Sequence, residues 1–361
     1  MPGGRPNLVF VFPDEFRQQA MGFMGQDPVL TPNLDRFASE GLVLTDAVSS
    51  RPVCSPYRAM LLSGKYPHGN GVLTNCNSET VKYENYLKET ERCISDVLHD
   101  CGYSQGYIGK LHLDPPSEQH EFTEGPRGNG VVWDSYTTPE RRHGFDFWHS
   151  YGCCDWHFKP HYWHGDARID QRIDIEEWSV KHETDIGIEF IRNQDGKQRD
   201  PNKPFSLMMS FNPPHPPFDQ VPIEYVEMYG DKTNEELLNR GNVDFDSPPV
   251  QHAKNYFAAV TGVDEQFGRI LQTLKDEGLE EDTIVVFTSD HGEMMGSHGR
   301  LGKSVWYEES FPVPFIIRWP GHIQPGEDNL MLGTPDLMPS LLSLMGVGDQ
   351  IPEGVEGSDH S

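Results

Sequence analysis

The chain is short of cysteine, of positive charge and of long apolar stretches, and each shortage excludes something. Six cysteines in 361 residues, Cys54, Cys76, Cys93, Cys101, Cys153 and Cys154, are too few for a disulfide scaffold. The adjacent Cys153 and Cys154 cannot easily bridge each other, and all but Cys54 read as buried or free thiols. With 29 basic against 56 acidic residues the formal charge is -27. That balance argues against a broad nucleic-acid surface, which needs lysine and arginine to displace condensed counterions. Any anionic substrate must therefore meet a local cationic pocket. No run approaches the roughly 20 apolar residues of a membrane-crossing helix. Nor does a charged and then apolar leader fit ahead of the first apparent strand at Asn7. The expected compartment is cytoplasmic, or periplasmic or secreted if a leader has been cleaved. There is no internal repeat and no low-complexity tract.

What is present is an alternation of short apolar runs and helical patterns. Leu8 to Phe12, Tyr103 to Ile108, Phe205 to Phe211, Thr283 to Thr288 and Val313 to Trp319 read as buried parallel strands. Between them, Thr31-Pro32-Asn33-Leu34 opens a helix with a capping Thr and Pro at the first turn, and Gly41 closes it. Further helices are expected over 55–63, 92–101, 251–274 and 335–345. The alternation predicts an α/β fold with a mostly parallel central sheet sandwiched by helices. The length fits one large unit or two domains. Residues 115–174, rich in His, Trp, Tyr, Gly and Arg, read as an irregular excursion over the sheet edge.

In open α/β sheets, ligands bind beyond the carboxyl ends of the strands. Asp14 and Glu15 follow the first strand, Lys110 and His112 the second, His215 the third, and Asp290 and His291 the fourth. Singly, Asp14 or Asp290 reads as a turn or cap residue. Together, distant carboxylates and an imidazole suit a hard divalent cation, Ca²⁺ or Mg²⁺ rather than zinc.

Cys54-Ser55-Pro56-Tyr57-Arg58, continuing to Ser63-Gly64-Lys65, resembles the Cys-x-Pro-x-Arg signature of type I sulfatases, within the alkaline phosphatase superfamily. The likeness extends through Asn7 to Asp14-Glu15, Thr31-Pro32-Asn33-Leu34-Asp35, Gly109-Lys110-Leu111-His112, Thr288-Ser289-Asp290-His291-Gly292 with Gly302-Lys303, and Asp336-Leu337-Met338-Pro339. It departs where many relatives carry Asp-Asp and this chain has Asp14-Glu15. The family also continues into a small C-terminal subdomain with a short antiparallel sheet and a helix. The resemblance thus implies a catalytic domain over 1–346 and the start of a truncated segment over 347–361.

By that resemblance Cys54 is oxidised to formylglycine, by a formylglycine-generating enzyme or an anaerobic maturase, and its hydrate is the nucleophile. Asp14, Glu15, Asp290 and His291 would hold the metal, with an oxygen of residue 54 as a further ligand. Arg58, one helical turn after Cys54, would stabilise the deprotonated nucleophile. Lys110, Lys303 and His215 would contact sulfate oxygens, and His215 or Lys303 would protonate the leaving alcohol. His112 would accept the proton whose loss expels sulfate. At the start of a helix, Cys54 would also meet backbone N–H groups and the helix dipole. The implied activity is hydrolysis of sulfate esters on a small molecule or saccharide. The alternatives are a phosphonate or phosphodiester hydrolase of the same superfamily and, with Cys54 unmodified, a non-catalytic sulfated-glycan binder. The aromatic and histidine-rich stretch from His143 to Asp166 reads equally as a wall of the substrate pocket or as a packed loop.

Overall fold

The computed structural model describes residues 4–116 and 130–361. The first strand, β1 (Asn7–Val11), is followed by α1 (Pro32–Glu40), β2 (Leu42–Leu44), α2 (Cys54–Ser63), α3 (Ile94–Asp100) and β3 (Ser104–Lys110). Next come β4 (Phe147–Tyr151), β5 (His161–His164), β6 (Ile173–Asp174), α4 (Ser179–Arg192) and β7 (Phe205–Ser210). The long α5 (Ala253–Asp276), β8 (Thr283–Thr288), β9 (Phe315–Arg318), β10 (Gly326–Asp328) and α6 (Leu337–Leu344) complete the principal elements.

The strands form one sheet in the order β10-β2-β9-β8-β1-β7-β3-β4-β5-β6. Its centre, β8-β1-β7-β3-β4, is parallel throughout, and antiparallel pairs lie towards both edges. Alternate residues of each central strand feed opposite faces, as the two-residue period of a strand requires. Val9, Val11, Leu207, Met209, Val285 and Phe287 join the core under α1, α4 and α5. Leu8, Phe10, Met208, Ile284 and Val286 join the core under α2, α3 and α6. The expected sandwich is therefore observed, and one closely packed sheet puts the ends of β1, β3, β7 and β8 side by side.

One glycine sets the spacing at the site. Gly109 has φ +96°, and a Cβ there would lie 2.2 Å from the Ser210 carbonyl oxygen. Only glycine lets β3 come that close to β7 just before it delivers Lys110.

The structure corrects the reading of residues 115–174 as an irregular excursion. Residues 117–129 of that stretch lie outside the described ones, but 147–174 contain three strands that extend the sheet, β4 pairing in parallel with β3. Aromatic and imidazole side chains do the packing there, Trp148 stacked on Tyr107 and His149 on Tyr162. The helix α4 was not anticipated either, because its inner face carries the buried Glu183 and Thr184 among its apolar residues. Three smaller shifts are that α2 begins at Cys54 itself, that a 3-10 turn, Thr334–Asp336, precedes α6, and that β9, expected to be parallel, runs antiparallel to both β8 and β2. Among the described residues no helix is long and apolar enough to cross a membrane.

Candidate active site

All ten residues of α2 are buried, so this helix has no solvent face and its polar groups are aimed inwards. Cys54 is its first residue and is 1% exposed. Ser55 donates its amide to Asn75, Pro56 has none, and Tyr57 donates to Val53. The helix start therefore offers the pocket its dipole rather than a ring of free donors.

Around the Cys54 sulfur stand Asp14 Oδ1 at 3.6 Å and His291 Nε2 at 3.4 Å. His291 donates Nδ1–H to the Gly292 carbonyl, 3.0 Å away, which fixes the ring with Nε2 facing the cluster. His291 Nε2 lies 3.5 Å from both Asp14 Oδ1 and Asp290 Oδ1. The ligand atoms of Asp14, Cys54, Asp290 and His291 all fall within 4.8 Å of one another. Glu15 belongs to a second group, with Asp14 and His215. Its backbone is left-handed, φ +67°, and its amide donates to Asp290 Oδ1. Its carboxylate turns to Lys303 Nζ at 3.0 Å and His215 Nε2 at 3.5 Å. The longer side chain thus keeps Glu15 at the site while facing it towards the cationic side.

Arg58 makes contacts beyond those the sequence expectation named. Its Nη2 bridges Asp14 Oδ2 and Asp290 Oδ2, each at 3.1 Å, and its Nη1 donates to the Lys110 carbonyl at 2.6 Å. It clamps the two carboxylates that flank Cys54, and the charge of Cys54 still acts on its guanidinium. Lys110 Nζ lies 2.6 Å from Asp14 Oδ2 and donates to Asn212 Oδ1 at 3.0 Å. His112, with φ +54°, holds the Cys76 carbonyl through Nε2 at 2.9 Å and turns Nδ1 inwards. His215 Nδ1 sits 2.7 Å from the Pro216 carbonyl and 3.5 Å from Asp155 Oδ1.

The electrostatics follow from dense charge without water. Burial disfavours the Asp14 carboxylate, but Lys110 and then His215, Lys303 and His291 outweigh it and hold its carboxyl well below the usual range. Asp290 has the opposite balance: burial and the Asp14 charge push it up to about 6. Burial and Asp14 oppose a Cys54 thiolate, yet Lys303 and Lys110 bring the thiol well below its ordinary value. His291 and His112 are each raised to about 9 against the cost of burial, His291 first by Asp290 and His112 first by Cys153.

Every residue expected at the site is brought together there. Others escaped the sequence reading. Asn212 directly follows the β7 strand run, so the strand-end rule that selected His215 would have found it. Glu293 accepts from the amides of Met295 and Gly302 and so ties down the loop carrying Lys303. Asp155 follows a strand that the sequence did not reveal. Trp133, whose ring centre is 6.1 Å from that of His112, carries no motif signal.

Such a site sets a group of residues that could hold a metal ion beside a cationic pocket for an anion, the layout of a metal-assisted ester hydrolase. A family model described as Sulfatase matches residues 6–347. A Bacteroides thetaiotaomicron protein named endo-4-O-sulfatase is 44% identical over 98% of this chain and 72% of its own length. A Formosa agariphila protein named ulvan-active sulfatase is 36% identical over 99% of this chain and 64% of its own length. A solved structure from work on glycosaminoglycan metabolism by Bacteroides thetaiotaomicron superposes with a TM-score of 0.92 at 43% identity, covering 98% of this chain and 75% of that one. The chain belongs to the sulfatase family and is a sulfuric ester hydrolase.

Proposed function

We propose that this protein hydrolyses 4-O-sulfate esters carried by the sugar units of a sulfated carbohydrate, using Cys54 in its formylglycine form and a bound Ca²⁺, which Mg²⁺ can replace. The observation that carries this reading is the position of Cys54: a buried side chain at a helix start, within 4.8 Å of three metal-ligating groups and next to lysines that no phosphate or sulfate ester could ignore. The donor set is rich in carboxylate oxygen, which fits a hard cation. Asp14, Asp290 and His291 would hold it, with Glu15 drawn in through the group it shares with Asp14. When bound, the cation and the oxidised residue 54 supply Lewis acidity and the nucleophile.

The remaining steps belong to this chain's own side chains. Arg58 keeps Asp14 and Asp290 in register. Lys110, Lys303 and His215 neutralise the oxygens of the ester. His215 Nε2 or Lys303 Nζ gives a proton to the departing sugar oxygen, and His112 Nδ1 accepts the one released as sulfate leaves, a role that needs the neutral imidazole and is therefore fullest above its pKa of about 9. Cys54 is 1% exposed, so the oxidising partner, a formylglycine-generating enzyme or an anaerobic maturase, must meet this segment before folding. The 4-O position and the carbohydrate rest on the names of the relatives above.

Four measurements test the reading. Mass spectrometry of the Cys54 peptide should find the aldehyde. Saccharides sulfated at O4 should be turned over faster than those sulfated at O6, and an aryl sulfate faster than an aryl phosphate or phosphonate diester. A strong preference for the phosphorus esters would reverse the assignment. Cys54→Ala should lose roughly a thousandfold or more in turnover while stability changes by only about 1 kcal/mol. Substantial residual activity would exclude residue 54 as the nucleophile.

A further inference from the structure

A cavity of about 290 Å³ opens at the end of the sheet opposite the catalytic centre. Asn7 and Phe205, the first residues of β1 and β7, line it. The catalytic groups follow the other ends of these strands, so the length of β7, at about 3.3 Å per residue, puts the two places roughly 20 Å apart. Arg5, Arg192, Arg199 and Lys203 line the same cavity, with Asp282 the one carboxylate among its lining residues.

These cations are poorly matched by acids. Arg5 donates Nη1 to the Cys101 carbonyl at 2.8 Å. Arg199 donates Nε and Nη2 to the Phe190 and Ile191 carbonyls at the end of α4, at 3.2 and 2.9 Å, and its guanidinium lies over the Phe205 ring. Among the described residues no carboxylate pairs with Arg5, Arg199 or Lys203, and Arg192 meets Glu277 at 3.6 Å. Capping of α4 accounts for Arg199, but it gives Lys203 and Arg5 no reason to face the same space. The neutral polar groups there are already engaged: Asn7 Oδ1 accepts the Phe205 amide, and Asn193 Oδ1 accepts the amides of Gln198 and Arg199. On a chain with 56 acidic and 29 basic residues, the sign of charge is locally reversed.

We propose that this cavity is a second anion site, which binds a sulfate group apart from the catalytic centre. Sulfate as the anion follows from the hydrolase activity, and sulfate carried on a sugar rests on the carbohydrate reading above. Guanidinium forks and an ammonium match the oxygens of a tetrahedral oxyanion. Pro201, Pro204 and Leu279 add apolar walls, and the volume leaves room beside the ion for the ring that bears it.

The test is isothermal titration of Cys54→Ala protein, which the mechanism above leaves without a nucleophile, in about 20 mM NaCl, where charge contacts are little screened. The probes are sodium sulfate, a 4-O-sulfated chondroitin tetrasaccharide and the same tetrasaccharide without sulfate. A sulfated probe should fill two sites per chain, and adding Lys203→Glu or Arg199→Gln should remove one of them or weaken it at least roughly tenfold. Lys203 is exposed, so its variant keeps the test valid even if Arg199→Gln frays α4. With Cys54 intact, Lys203→Glu should hydrolyse 4-nitrocatechol sulfate at the parent rate. A second site filled by the free ion is one for sulfate itself; one filled by the sulfated tetrasaccharide alone is for sulfate borne on a sugar. Unchanged stoichiometry and affinity in both variants, or equal binding of the unsulfated tetrasaccharide, would overturn the proposal. A Lys203-dependent site in an enzyme that hydrolyses no saccharide sulfate would instead overturn the carbohydrate reading and leave the anion site standing.

Discussion

Arg58 resolves a conflict between neighbouring residues: Asp14 and Asp290 must stand close enough to share a cation, and their charges repel. One guanidinium nitrogen bridges both at 3.1 Å, and burial makes that arrangement sensitive to geometry. Lysine keeps the charge but cannot span two carboxylates, the Lys110 carbonyl and the Ser210 hydroxyl with a planar fork. Arg58→Lys should therefore weaken Ca²⁺ binding roughly 10- to 100-fold in calorimetric titration, and an unchanged affinity would remove Arg58 from that role. Glu183 makes a different argument. It is fully buried on α4, accepts the Tyr162 hydroxyl at 2.8 Å, and burial pushes its pKa from 4.5 up to about 8. The folded state thus keeps a proton that the unfolded chain has released. The contribution of Glu183 to stability is fullest below about pH 4.5 and is lost as pH rises towards 8, by at most about 5 kcal/mol. Glutamine needs no such proton, so Glu183→Gln should melt above the parent at pH 9 and show a flatter dependence of Tm between pH 5 and 9. Parallel profiles would refute it.

At the scale of elements, the parts legible in sequence are those whose side chains obey one simple rule. β1, β7 and β8 are short apolar runs because both of their faces are covered, and α1 carries Pro at its first turn and Gly just past its end. β4, β5 and α4 broke the rule for a physical reason. His149 and Trp148 pack on opposite faces of β4, and Glu183 and Thr184 lie on the buried side of α4, so neither period stands out. Asp155 was lost with β4, since a strand end cannot be searched for residues until the strand is seen. β3 depends on Gly109 in a way that no propensity expresses. Gly109→Ala should cost at least about 2 kcal/mol in urea unfolding, because the new Cβ meets the Ser210 carbonyl and the residue is held at φ +96°. It should also lower turnover by displacing Lys110. A variant as stable as the parent would show that β3 and β7 can separate freely.

For the whole molecule, the charge of -27 and a cationic pocket act over different ranges. The pocket binds at contact, whereas the surrounding carboxylates repel a polyanion at a distance that salt screens, about 10 Å at 0.1 M. Raising NaCl from 0.02 to 0.15 M should therefore increase kcat/KM for a long sulfated polysaccharide several-fold and change that for a small aryl sulfate much less. A fall with salt for the polymer would mean that a local basic surface governs its approach. Sequence by itself determined the chemistry available: the strand ends carrying Asp14, Lys110, His215 and Asp290, and Cys54 at the head of a helix, because these are local patterns of residue type and spacing. Tertiary structure alone decided which groups touch. It set Arg58 against the two carboxylates and turned Glu15 towards Lys303. Those contacts join residues dozens to hundreds of positions apart, and only the packing of α2 under the sheet, with β3 drawn tightly against β7, brings them within reach.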